Sequence, residues 1–172
     1  MKKFIFKLYV KYIRPHTSKI LSSIFSKQIV PKAVWLVYRE KPLKEFEWFI
    51  NTFEYKADPL GGFLDFNYED PNMFFDAHAN SRDCDQFSYI WKLWFAHNGY
   101  TPQEVIVTTK RHVAKDAHVI CIAEKDGEYW CANYKIFGAY KTFNEAVEAV
   151  CLWKKYNKDN LLWLPYNALR RT

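Results

Sequence analysis

The sequence predicts an α+β fold, with one aromatic helix packed on an antiparallel sheet. Three observations predict it. Apolar side chains at Phe87, Ile90, Trp91, Trp94 and Phe95 recur at i, i+3, i+4, i+7 and i+8, which is one face of a helix. Three β-rich runs follow, at residues 101–109, 117–122 and 128–134, and the Asp126-Gly127 pair between the last two marks a hairpin. Thr142 and Glu145 then form a capping box that opens a second helix running to about residue 156.

Composition sets the outer limits. A chain of 172 residues, 19% aromatic and 26% charged, is long enough for a real core and too apolar to be disordered. The net charge of +6 is unevenly spread: residues 1–45 hold eleven Lys/Arg against two Glu, while residues 46–172 hold fourteen against seventeen acidic groups. Cys84, Cys121, Cys131 and Cys151 show no C-x-x-C spacing, and the histidines show no ligand spacing, so no metal or other cofactor is expected. Free thiols point to a reducing, cytoplasmic setting.

Taken in order, residues 1–42 read as a basic amphipathic extension. Its first stretch, MKKFIFKLYVKYI, starts like a signal peptide, but Lys7 and Lys11 break the apolar run and no cleavage site follows. It is too short and charged to span a membrane. Residues 1–30 suit a helix folded onto the domain with its lysines in solvent, docking to a protein partner, or peripheral contact with a membrane surface; nucleic acid is the weaker match. The main domain is expected over residues 43–157. Leu43, Phe46, Phe49, Ile50 and Phe53 give a helix, and Asp58-Pro59 with Gly61-Gly62 gives a loop. The aromatic, turn-rich residues 63–75 lead to the central helix and are placed to wall a cleft. Ala146, Val147, Val150 and Trp153 form the buried stripe of the last helix, and residues 158–172 are a C-terminal tail that covers the core or binds a partner. His97 and His112 are expected to face solvent.

The central helix starts beside a cysteine. Ser81, Asp83 or Asp85 can cap it, and Asn98-Gly99 can stop it. Cys84 therefore lies in or next to the first turn, where unpaired amides and the dipole favour a thiolate and offer donors to an oxyanion. The adjacent carboxylates of Asp83 and Asp85 oppose that unless they are held by amides or a cation. His118 opens the second β run and Asn133 lies near the end of the third, which puts both at one end of a hairpin sheet.

In these residues the chain resembles the transglutaminase-like, papain-like cysteine peptidases. The resemblance spans about residues 46–150 and rests on Asp83-Cys84-Asp85-Gln86-Phe87, Ala117-His118-Val119 and Asn133-Tyr134, with Asn133 fifteen residues after His118. It implies a nucleophile-bearing helix on an antiparallel sheet, with Cys84 as nucleophile, His118 as base and acid, and Asn133 orienting the imidazole. Such enzymes place a side-chain donor shortly before the cysteine to complete the oxyanion hole, a role open to His78 or Asn80, which otherwise read as ordinary loop residues. Gln86, Ser88 and Asn133 depart from the residues usual in that family. The activity implied is thiol-dependent hydrolysis of a protein or peptide amide, or acyl transfer, in a protein of bacterial or phage type. Two rivals stand beside it: a catalytically inactive binding or assembly protein of the same build, and a cell-wall peptidase, which Asp85-Gln86 and the short cysteine-to-histidine spacing disfavour.

Overall fold

The computed structural model describes residues 33–56, 71–75, 82–111 and 116–166. The expectations for residues 1–30, for the loop at 58–62, for most of the 63–75 stretch and for His78, Asn80 and His112 lie outside the described residues.

The described chain is α+β. Helices α1 (Ala33–Tyr38), α2 (Leu43–Ile50) and α3 (Cys84–His97) precede strands β1 (Thr101–Thr109), β2 (His118–Lys125), β3 (Glu128–Ala132) and β4 (Ile136–Tyr140). Helices α4 (Phe143–Glu148) and α5 (Val150–Lys154) then lead to β5 (Leu161–Pro165). The sheet is open, with strand order β4-β3-β2-β1-β5 and every pairing antiparallel.

Helix α3 is the middle layer. Phe87, Ile90, Trp91 and Phe95 are fully buried. Towards the sheet this bulky helix meets Cys121, Ala123 and Ala132, whose small side chains let it approach closely. On its other side lie Phe46 and Ile50 of α2 and Phe74 of a 3₁₀ turn, Pro71–Phe75. Phe46 meets Trp91 edge-on with ring centroids 5.1 Å apart. At the helix end, Trp94 Nε1 donates to the Lys41 carbonyl and Asn98 Nδ2 to the Arg39 carbonyl, tying α3 to the α1–α2 connection.

The other face of the sheet carries Val105, Val107, Ile120, Ile122 and Cys131, covered by Ala146 and Val147 of α4 and Val150 of α5. Period-2 alternation thus sorts β2 cleanly: Val119, Cys121 and Ala123 face α3, while Ile120 and Ile122 face α4 and α5. Cys121 and Cys131 are both buried and fall on opposite faces, so they do not pair.

Several boundaries differ from the expectations. The C-terminal tail supplies β5, which pairs with β1 from Val105↔Pro165 to Thr109↔Leu161. Its Trp163 is 38% exposed and packs on Phe143. Within the stretch expected as the N-terminal extension, α1 packs through Trp35 on Phe46, and the Trp35 amide donates to Asn72 Oδ1. The helix expected to reach residue 156 divides at Ala149 into α4 and α5. Strand β3 stops at Ala132, two residues early, and β4 is an addition to the expected strands. His97 is exposed as expected, and its Nε2 lies 2.9 Å from Glu40 Oε1.

Candidate functional site

Asp83 is the N-cap of α3. Its side chain accepts from the Asp85 amide and from the amide of Gln86, while Gln86 Oε1 accepts from the Asp83 amide at 2.9 Å. This is a complete capping box. Gln86 thus has a local role, because it satisfies a backbone donor at the helix start. The chain leading in is also fixed. Lys56 and Arg82 exchange both backbone hydrogen bonds, and Arg82 Nε donates to the Phe74 carbonyl at 2.8 Å.

Cys84 is the first residue of α3 and is partly exposed. It packs with Ile106, Val119 and Tyr166, on the α3 face of the sheet. Asp85 is fully buried, and Tyr166 donates its hydroxyl to Asp85 Oδ2 at 3.0 Å. Asp85 is thus held by a tyrosine from beyond β5 and Asp83 by helix amides.

Asn133 is brought directly to the cysteine. It is 1% exposed, and its Nδ2 donates to the Cys84 carbonyl and to the Val119 carbonyl, both at 2.8 Å. Its Oδ1 is buried and has no hydrogen-bond partner among the described residues.

His118 is set by the parity of β2. It pairs with Val107, and alternation sets it with Val105, Val107, Ile120 and Ile122 on the α4–α5 face, whereas Cys84 packs with Val119 on the other. Electrostatics agrees: burial, and then the charge of Lys154 on α5, lowers the imidazole pKa to about 3. The ring is 3% exposed, and its Nε2 finds no partner among the described residues. Of the three residues in the implied triad, the structure bonds the Asn133 side chain to the Cys84 carbonyl, while strand alternation sets His118 with Val107 and Ile120. Sequence spacing puts all three at one end of the sheet but does not fix which way the histidine points.

Two tyrosines near the cysteine go beyond the sequence expectations. The Tyr134 ring packs on Phe87 with centroids 4.3 Å apart. Its hydroxyl pKa is pushed well up, first by burial and next by charge at Cys84. Tyr156 donates its hydroxyl to the Asp116 carbonyl, and its pKa is pushed up to about 12 by burial, then by Asp116 and Cys84. In the sequence Tyr134 stands only beside Asn133, and Tyr156 only at a helix end; nothing in their spacing marks them as neighbours of the sulfur.

Among the described residues, no group of three or more His, Cys, Asp or Glu side chains is placed to hold a metal ion. No helix among them is long and apolar enough to cross a membrane. No protein-family model, curated protein or solved structure matches this chain.

Proposed function

We propose that this chain is a binding or assembly protein of transglutaminase-like build, working without a Cys-His-Asn triad in the arrangement described. One observation supports the reading: alternation along β2 sets His118 with Val107 and Ile120, whereas Cys84 packs with Val119. Energetics points the same way. Burial, and then the charge of Lys154, holds the imidazole near 3, which makes it a poor acceptor for a thiol proton. Apolar side chains such as Trp48, 71% exposed, and Leu152, 73% exposed, are the kind of surface a protein partner covers.

A second reading, thiol-dependent amide hydrolysis or acyl transfer, has its own support. Cys84 stands at the first turn of a helix of 14 residues, partly exposed, with Asn133 bonded to its carbonyl. Here the Cys84 sulfur would attack the carbonyl, and the amide of Cys84 itself would hold the oxyanion, since the next amides of the turn serve Asp83. His118 would act as base only after leaving the α5 face. The substrate would be a protein or peptide amide, with no cofactor required.

Alkylation of Cys84 by iodoacetamide between pH 5 and 9 separates the two. The binding reading expects a rate that rises only as an ordinary thiol ionises, and no amide turnover attributable to the sulfur. Rapid alkylation at pH 6, with peptide hydrolysis lost in both Cys84→Ala and His118→Ala, overturns it in favour of the enzyme.

A further inference from the structure

We infer that Asn133 is a positioning residue for Cys84, clamping the cysteine's own peptide to strand β2 instead of orienting an imidazole. The geometry is direct. One amide nitrogen spans two carbonyls, Cys84 on α3 and Val119 on β2, at 2.8 Å each. An amide nitrogen carries two protons, so both are committed to this clamp. Ladder pairing between β2 and β3 ends at Cys121↔Ala132, and Asn133 follows at once. Its side chain supplies to Val119 the donor that a continuing strand would have supplied from its backbone. At the same time it fixes the first residue of α3 relative to the sheet. The sulfur belongs to that residue, so this clamp acts with the capping box to hold its height over Val119 and its exposure.

The assignment holds under either reading of the function, because it concerns where the thiol is presented and not what it attacks. It also separates sharply from an orienting role. An orienter works through Oδ1 as acceptor, so an aspartate serves as well or better. A clamp works through Nδ2 as donor, and an aspartate turns a carboxylate towards two carbonyl oxygens.

The test is the pH profile of Cys84 alkylation, in wild type, Asn133→Asp and Asn133→Ala, with folding checked by circular dichroism. The clamp predicts that Asn133→Asp and Asn133→Ala both change the alkylation rate, by on the order of tenfold or more. It also predicts a displaced thiol pKa. Asn133→Asp with a wild-type profile overturns it. Should either variant fail to fold, the wild type still decides through the Asn133 side-chain amide signals in a nitrogen–proton spectrum. Both protons should exchange slowly and stay fixed between pH 5 and 8. Fast exchange of either proton, or a shift that follows a histidine titration, overturns the clamp. If the clamp signals hold while Cys84 shows no unusual reactivity, only the enzyme reading fails.

Discussion

His118 makes the fold acid-sensitive, and the size of the effect follows from its burial. An unfolded histidine takes up its proton near pH 6.5, whereas the folded ring resists until about pH 3. Between those values the unfolded chain binds the extra proton, so stability falls as pH falls. The contribution is fully present above about pH 6.5 and exhausted near pH 3. With 1.36 kcal/mol per pH unit it totals about 5 kcal/mol, of which about 2 kcal/mol is lost between pH 7 and 5, before most carboxylates titrate. The ring is 3% exposed, so solvent screening takes little from this figure. Urea unfolding at pH 7, 6 and 5 should show the wild type losing about 2 kcal/mol, and His118→Leu losing much less. Leucine removes the proton site and the unpaired Nε2 together and leaves an apolar side chain among Val107 and Ile120. Equal slopes for the two proteins, or a His118 ring that titrates near its ordinary value in the folded state by NMR, would refute the placement of the imidazole on the α5 face.

Three further outcomes follow from the same contacts. Gln86→Ala removes one arm of the α3 capping box, the side-chain acceptor of the Asp83 amide, at a cost of about 1 kcal/mol in urea unfolding. Gly138→Ala should destabilise the β3–β4 edge, since a Cβ there would lie 2.4 Å from the Trp130 ring; a melting temperature equal to wild type would show that the ring moves freely. Lys92→Met leaves the fully buried Glu104 without the ammonium 3.1 Å away, and should lower stability by about 3 kcal/mol at pH 7 in urea unfolding.

Legibility in the sequence tracks how local each determinant is. The α3 stripe, the Asp126-Gly127 hairpin and the Thr142 capping box are set within a few residues, and each forms where its pattern predicts. Strand β5 is hidden because its partner, β1, lies some sixty residues upstream; Leu161–Pro165 alone looks like any apolar tail. The division at Ala149 is equally hidden, since the helical spacing of Ala146, Val147 and Val150 is the same whether the helix bends or runs straight.

The candidate site divides along the same line. That Cys84 starts a helix depends on Asp83 and Gln86, which flank it closely in the chain and are legible there. Whether His118 joins it depends on strand parity, and parity is a global property. A period of two means that one residue of slip sends every side chain of β2 to the other face. What fixes it is the match of Cys121 and Ala123 to the aromatic bulk of α3 on one side, and of Ile120 and Ile122 to the small Ala146 and the Val147–Val150 ridge on the other. Exchanging those sets would press isoleucines against Trp91 and Phe95, where only small side chains leave room. The histidine goes where the packing of its neighbours sends it, and a motif of type and spacing carries no information about that.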